Sequence, residues 1–264
     1  MDYRVLPPGK DLQDIISHFW IGTWDAESRV PLTSYYIIAT TLTDIVFAFQ
    51  GATSHSELVF SAIQGQTPSA RQMPVAGFHQ LMGVSIRAFA LPWLFGLPPV
   101  DLGSDFLSLE TFLGHEGRVL NERIALAYDT DQRLAILAGF LRSRMKQGVL
   151  NDVVIKDRMM SSAMNTIRKD PADSRIIDLA GRFDLSPKQF KRRFMAFSGF
   201  NPKVYARVAR FESVIENYSA VSNLTDLAYA SGYYDQAHFN HEFKGFTGFS
   251  PGDFWKLGED TVGA

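Results

Sequence analysis

The sequence predicts an α+β fold, in which a small β-barrel or β-sandwich with trailing helices precedes an all-α domain. Three observations support this prediction. Residues 18–83 are rich in aromatic and β-branched residues between turn residues, the chain after Pro99 shows helical periodicity, and the last ninety or so residues contain an internal repeat. A chain of 264 residues has room for two domains, which we place at residues 1–150 and 151–264.

The strand-like segments of the N-terminal region are short and are separated by Gly, Pro, Ser and Asp. They are SHFWIGTW (17–24), LTSYYIIATTL (32–42), DIVFAFQG (44–51), ELVFSAI (57–63) and FHQLMGVSI (78–86). Helices are expected at Asp105–Leu113, at Arg118–Tyr128 and from Asp129 or Thr130 to Met145. The apolar stripe of the last helix is more typical of domain core than of a dimer seam.

Composition excludes several classes of function. The formal net charge is -2, 46% of the residues are hydrophobic and there is no cysteine, which excludes disulfides, thiol catalysis and cysteine zinc sites. No GxSxG, phosphate-binding loop, dinucleotide fingerprint or HxH pair is present, so we expect no enzyme activity, cofactor or metal. The longest apolar stretch, 88–100, is broken by prolines, and the first residues lack a signal-peptide pattern, so we expect a cytoplasmic protein without a membrane partner.

The C-terminal repeat comprises ten matched positions. Ile176, Asp178, Leu179 and Ala180 match residues 48 positions later, and a second set matches at 49, so the second copy has one inserted residue. The second set pairs Phe190, Phe194, Phe197, Gly199, Phe200 and Pro202 with Phe239, Phe243, Phe246, Gly248, Phe249 and Pro251. The same supersecondary unit therefore occurs twice.

Each copy of the repeat is predicted to be a helix, a tight turn and a second helix. Asp184 in one turn and Gly232 in the other suit a left-handed backbone. Ser186 begins the second helix of the first copy with a capping box, and Asp235 has the same place in the second copy. The phenylalanines of each second helix form one stripe, which we expect to be buried.

Charge is sorted within the last third of the chain. Eight basic residues and one acidic residue lie between Arg182 and Arg210, whereas two basic and eight acidic residues follow from Phe211 onwards. The face opposite the phenylalanine stripe of the first copy carries Lys188, Lys191 and Arg192, which suits base contacts in the major groove. We expect phosphate contacts from Arg193, Lys203, Arg207 and Arg210. A helix over Lys203–Asn217 would join the units, with their second helices about 34 Å apart on DNA.

The two copies resemble the DNA-binding domain of AraC/XylS-type bacterial transcriptional regulators. The resemblance rests on LSPKQFKRRFMAFSGFNPKVYARVAR and LTDLAYASGYYDQAHFNHEFKGFTGFSPGDF. It implies a sequence-specific, nucleoid-associated regulator of promoter DNA that contacts RNA polymerase. It also implies base contacts from the second unit, by Gln236, Ala237, His238, Asn240 and His241, and Lys244 completes the predicted phosphate contacts.

This sequence departs from the family pattern at His241, where many members carry Arg at the position that matches Arg192. Together with the acidic surplus after Phe211, this departure predicts that the second unit binds DNA more weakly than the first. His238 and His241 could alternatively bind a metal ion, but no third ligand lies nearby in the sequence.

The N-terminal domain is the expected place for regulation, by a small-molecule effector or by homodimerisation. VAGFHQLMGVSIRAFALPWLFGLPP also resembles N-terminal domains of uncharacterised regulators of this type. A pocket inside the sheet would be lined by Trp20, Tyr36, Phe47, Phe49, Phe60 and Phe78, with His79 or Arg87 as polar anchors. Two alternatives stay open: a ligand-independent activator whose N-terminal domain only dimerises, and an enzyme domain fused to a DNA-binding domain.

Overall fold

The computed structural model describes residues 2–23, 34–51, 56–74, 78–147, 158–171, 176–217, 224–256 and 262–263. The chain forms two compact units. The first comprises residues 1–34, 42–65 and 74–156, and the second comprises residues 35–41, 66–73 and 157–264. The predicted domain boundary at residue 150 lies outside the described residues.

The predicted α+β class, with a β-rich N-terminal region and a helical C-terminal region, is confirmed. The described strands are β1 (Asp2–Leu6), β2 (Ile16–Thr23), β3 (Ser34–Ile37), β4 (Leu42–Gln50), β5 (Glu57–Gln64), β6 (Arg71–Pro74), β7 (Phe78–Arg87), β8 (Phe106–Ser108) and β9 (Val262–Gly263). The described helices are α1 (Leu91–Phe95), α2 (Pro99–Leu102), α3 (Leu109–Leu113), α4 (His115–Ala125), α5 (Thr130–Gln147), α6 (Arg158–Lys169), α7 (Ile176–Arg182), α8 (Pro187–Ser198), α9 (Pro202–Asn217), α10 (Leu224–Ala230), α11 (Gln236–Thr247) and α12 (Pro251–Lys256).

A six-stranded antiparallel sheet, in the order β1-β2-β7-β4-β5-β8, forms the centre of the first unit. Its central strands are mostly buried, and they pack with α1, α4 and α5 in one apolar core that includes Phe47, Leu120 and Leu137. Gly83 of β7 has no side chain because a Cβ atom there would lie 2.6 Å from the ring of Trp20. Packing of α5 on the sheet confirms that its apolar stripe is domain core.

One predicted helix begins later than expected. We predicted Asp105–Leu113 as a helix, but Phe106–Ser108 is strand β8, which pairs with Ala62–Gln64 of β5. The ring of Phe106 packs edge-on against Phe60, with centroids 5.5 Å apart. Helix α3 begins only at Leu109 because the Ser108 Oγ accepts a hydrogen bond from the Thr111 N–H and caps the helix there. Strand pairing therefore overrode the helical periodicity of these residues.

The second unit is mostly helical and has its own apolar core. Phe211 and Val208 of α9 lie in that core with Phe239 and Phe243 of α11. A small three-stranded sheet, in the order β6-β3-β9, belongs largely to this unit. The predicted helix over Lys203–Asn217 is confirmed as α9, which joins the two repeated copies.

Candidate nucleic-acid interface

The first repeated copy folds as a helix-turn-helix unit, formed by α7 and α8. Asp184 in the turn has a φ of 53°, the left-handed conformation predicted for this position. The Ser186 Oγ accepts a hydrogen bond from the Gln189 N–H, and the Gln189 side chain accepts one from the Ser186 N–H. With Pro187 as the first helical residue, the predicted capping box at the start of α8 is confirmed.

The second copy repeats this geometry with different residues. Gly232 in the turn between α10 and α11 has a φ of 76°. The Asp235 Oδ1 accepts a hydrogen bond from the His238 N–H over 2.7 Å and caps α11. The predicted N-cap is therefore confirmed, and a helix-turn-helix unit stands at each end of α9.

The two recognition helices, α8 and α11, also end in the same way, which sequence reasoning missed. Gly199 and Gly248 follow them with φ values of 78° and 84°. The Ser198 hydroxyl donates to the Phe200 carbonyl oxygen, and the Thr247 hydroxyl donates to that of Phe249. Ser198 and Thr247 are 49 residues apart, so the repeat spacing was a signal that could have revealed this pair.

The phenylalanine stripe of each recognition helix is buried, as predicted. Phe194 packs edge-on against Tyr205 of α9, and Phe243 packs edge-on against Phe211 of the same helix. The predicted base-contacting side chains lie away from these stripes, and all of them are exposed: Lys188, Lys191, Arg192, Gln236, Ala237, His238, Asn240 and His241. Each recognition helix therefore presents one polar face to solvent.

The predicted phosphate-contacting residues differ in their surroundings. Lys203 and Lys244 are exposed, whereas Arg193 is half-buried. The Arg207 Nε donates to the Glu242 Oε1 over 2.5 Å, while 53% of the Arg207 side chain stays exposed. Arg210 stacks over the ring of Tyr233 at 5.2 Å. Their contacts with phosphate remain predictions.

Glu242 is a buried acidic residue that sequence reasoning missed. It lies on α11, and its side chain is only 6% exposed. Its bond to Arg207 joins α9 to the second recognition helix, and its Oε1 also lies 3.9 Å from the His238 Nε2. Glu242 therefore sets the position of α11 against α9 and places a negative charge beside one predicted base-contacting residue.

Two segments from the N-terminal half of the sequence belong to the second unit. Residues 35–41 and 66–73, here called the strap, meet through a bridge between Thr40 and Thr67. The Gln66 Nε2 donates to the Ser198 carbonyl oxygen over 3.0 Å, and the Ala39 N–H donates to the Phe246 carbonyl oxygen over 2.9 Å. The strap thus supplies hydrogen-bond donors to the C-terminal ends of both recognition helices, whose last carbonyl groups lack partners within the helix.

The strap also binds α9 through Glu212. The Glu212 Oε1 accepts hydrogen bonds from the Thr41 N–H over 2.7 Å and from the Thr40 hydroxyl over 3.0 Å, and the Oε2 accepts one from the Thr41 hydroxyl. Burial raises the pKa of the Glu212 carboxyl, while these hydrogen bonds and the charge of Arg168 oppose the rise. The strap therefore contacts both recognition helices and the helix that joins them.

The residues predicted to line an effector pocket are divided between the two compact units. Tyr36 lies in the second unit, where it packs edge-on against Phe249. Within the first unit, Phe47 is fully buried in the core, Phe60 contacts Phe106 and Trp20 stacks with Tyr3.

The other four residues predicted to line the pocket lie at the two ends of β7 and on its neighbour β4. Phe78 and Arg87, the first and last residues of β7, are half-buried. His79 and Phe49 are buried, and both lie near Arg133 of α5, which sequence reasoning missed. The assignment of an effector pocket remains a prediction.

Comparison with known proteins agrees with this architecture. Residues 179–256 match a family described as a helix-turn-helix domain, and residues 4–107 match a domain of unknown function, DUF6597. No curated protein matches the chain.

The fold is similar to that of ToxT from Vibrio cholerae in several crystal structures. The 1.65 Å structure has a TM-score of 0.51 at 15% identity and covers 89% of this chain and 97% of ToxT. ToxT with a bound unsaturated fatty acid gives 0.52 at 15% identity, covering 93% and 98%. ToxT bound to (E)-4-(8-methylnaphthalen-1-yl)but-3-enoic acid gives 0.52 at 11% identity, covering 96% and 98%.

The matched helix-turn-helix domain is of the kind that DNA-binding transcription regulators carry, and the similarity to ToxT concerns the fold. Within that class, the C-terminal domain of this chain belongs to the AraC-type helix-turn-helix domains, as its resemblance implied. No described helix is long and apolar enough to cross a membrane. Within the described ranges, no group of three or more His, Asp or Glu residues could hold a metal ion.

Proposed function

We propose that this protein regulates transcription by inserting α8 and α11 into promoter DNA. The observation that supports this function best is the repetition of the helix-turn-helix unit, together with an exposed polar face on each recognition helix. The major groove admits one α-helix, and Lys, Arg, Asn and Gln side chains form hydrogen bonds with base edges there. Two units on one linking helix would read two segments of the groove.

We assign unequal roles to the two helix-turn-helix units. The stretch Arg182–Arg210 carries eight basic residues against one acidic residue and would supply most of the phosphate affinity. The second helix-turn-helix unit carries an acidic surplus. One of its acidic residues, Glu242, accepts a hydrogen bond from Arg207. Its contribution would be sequence preference, through Gln236, His238 and Asn240.

We further propose that the N-terminal domain controls DNA binding, through a small-molecule effector or through homodimerisation. The strap supports a physical route for this control because Thr41 runs directly into β4, and β5 runs through Gly65 into Gln66. A change at these strands would reach the ends of both recognition helices. ToxT has been crystallised with two organic acids, which favours a small-molecule effector here. Contact with RNA polymerase and a cytoplasmic location also belong to this proposal.

Fluorescence anisotropy of the full-length protein on DNA from upstream of its own coding region tests the proposed function. A double variant, Lys188→Ala with Arg192→Ala, should bind at least about tenfold more weakly because it removes two groove-facing cations. The control is Lys146→Ala, which removes an exposed lysine on α5 of the first unit. Equal affinities of the double variant and the control would contradict the proposal.

A further inference from the structure

Arg133 is a buried arginine in the first turns of α5. The residue is 5% exposed and its guanidinium lies over the ring of Phe49, 3.8 Å from the centroid. Its Nη1 donates to the Gln80 Oε1 over 3.1 Å, and its Nη2 donates to the Ser56 Oγ over 2.6 Å. Two strands and the segment before β5 therefore surround the guanidinium.

The charge of Arg133 has no counter-ion among the described residues. Both of its hydrogen-bond acceptors are neutral, and its Nε has no hydrogen-bond partner there. Asp129 is the acidic residue whose charge acts on it, but that carboxylate is exposed and caps α5 by accepting from the Gln132 N–H. A buried cation without a paired anion is unfavourable, so an anionic partner would stabilise this guanidinium.

The neighbours of Arg133 suit an anion with a single charge. The buried His79 has an Nδ1 without a hydrogen-bond partner, and burial together with the charge of Arg133 lowers the pKa of its ring. The lowered pKa favours the neutral form of the His79 ring beside the Arg133 cation. Thr23 and Thr130 bond the Gln80 amide and are half-buried, as is Ser56, so the group extends to the protein surface.

We propose that Arg133, Gln80, Ser56 and His79, here called the Arg133 cluster, bind the carboxylate group of a small organic acid. A carboxylate would accept a hydrogen bond from the Arg133 Nε and supply a negative charge that no described residue places against the guanidinium. One cation suits a monoanion better than a phosphate dianion. This inference rests on the proposed function only for the regulatory role of the acid, since the cluster itself lies wholly within the first unit.

A purely structural role for Arg133 makes a different prediction. If the guanidinium only fixes α5 on the sheet, added carboxylates would not stabilise the protein. A carboxylate ligand would instead raise the thermal unfolding midpoint, Tm, because it binds the folded state alone. The neutral amide of the same acid would have no such effect.

The test measures the Tm of the full-length protein with sodium hexanoate or benzoate, against hexanamide and benzamide, at constant ionic strength. A saturating carboxylate should raise the Tm of the unsubstituted protein by roughly 5 °C. Arg133→Met should lose this rise because the cation is gone. Arg142→Met should keep it, since Arg142 is an exposed arginine of the same helix that pairs with Asp11.

Gln80→Glu keeps the test decisive if Arg133→Met does not fold. A glutamate there would supply an internal carboxylate to Arg133, so this variant should show a higher Tm without ligand and no response to hexanoate. Equal responses of the unsubstituted protein and Arg133→Met would overturn the proposal. So would the absence of any carboxylate response in the unsubstituted protein, or an unchanged or lower Tm for Gln80→Glu.

DNA affinity, measured on the same preparations, separates this inference from the proposed function. A carboxylate response without promoter binding would refute the proposed function and leave the site standing. Promoter binding without a carboxylate response would refute the site alone.

Discussion

At the residue scale, the two recognition helices differ most at one matched position. Arg192 of α8 corresponds to His241 of α11, and both side chains are exposed. Arg carries a permanent charge and can donate two parallel hydrogen bonds to guanine, whereas a neutral imidazole donates one. We therefore expect the first helix-turn-helix unit to make the stronger groove contact.

We expect Arg192→Ala to weaken DNA binding by about tenfold or more, and His241→Ala to weaken it by less, because only the first change removes a permanent charge. Binding titrations of both variants on one promoter fragment at several salt concentrations would measure this. Arg192→Ala should also flatten the dependence of affinity on salt. An equal or larger loss for His241→Ala at the same salt concentration would show that the assignment of roles is wrong.

Glu212 is the second residue whose chemistry has a measurable consequence. Burial raises the pKa of its carboxyl above the ordinary value of 4.5, so the folded protein binds this proton more tightly than the unfolded chain does. Ionisation therefore opposes folding as the pH rises from about 4.5 through the raised pKa. Below that range the carboxyl is protonated in both states and the effect disappears.

Glu212→Gln should remove this pH dependence. The free energy of unfolding of the variant, minus that of the unsubstituted protein, should increase with pH through this range and then become constant. Urea unfolding at a series of pH values measures the difference. Glu216→Gln, which changes an exposed glutamate of the same helix, is the control. A difference that decreases with rising pH would mean that the pKa of Glu212 is lowered instead.

At the element scale, the ends of the recognition helices depend on glycine conformation. Gly248, just after α11, has a φ of 84°. Gly245 lies inside the same helix, and nothing lies within 4 Å of where its Cβ would stand. An alanine is therefore strained at one position and favourable at the other.

Gly248→Ala should lower the free energy of unfolding of the C-terminal compact unit by about 1–2 kcal/mol, because the left-handed conformation is unfavourable for an L-residue with a side chain. Gly245→Ala should raise it by about 0.5–1 kcal/mol, because alanine is the better helix former. Urea unfolding of the two variants checks both values. Two changes of the same sign would contradict this account of the helix end.

The recognition helices could be predicted down to their capping residues because the signals are local. The Ser186 and Asp235 side chains each accept a hydrogen bond from the backbone N–H three residues later, and Asp184 acts through its own backbone conformation. The strap could not be predicted in this way, since Thr41 and Glu212 are 171 residues apart and share no periodicity.

The N-terminal strands were also predictable, because β2, β3, β4, β5 and β7 fall within the expected segments to within a residue or two at most boundaries. The Arg133 cluster was not predictable, because burial of an arginine depends on how α5 packs on the sheet. The predicted effector pocket rests on residue type, and residue type alone does not show whether a side chain packs in the core or lines a ligand pocket.

At the scale of the whole molecule, a net charge of -2 conceals a strongly basic segment. The excess of seven positive charges in Arg182–Arg210 is offset by acidic residues in the N-terminal domain and after Phe211. Such sorting favours approach to DNA by one surface and reduces binding elsewhere. We propose that the two helix-turn-helix units, which α9 joins and the strap contacts, together read two segments of DNA.

Methylation interference at guanine N7 on the promoter fragment would test this proposal, because it reports major-groove contacts base by base. With the full-length protein, we expect two interfering segments whose centres lie about 10 base pairs apart, one helical turn of DNA. Arg192→Ala should weaken interference in one segment only. A single interfering segment, or interference that neither Arg192→Ala nor His241→Ala changes, would contradict the account.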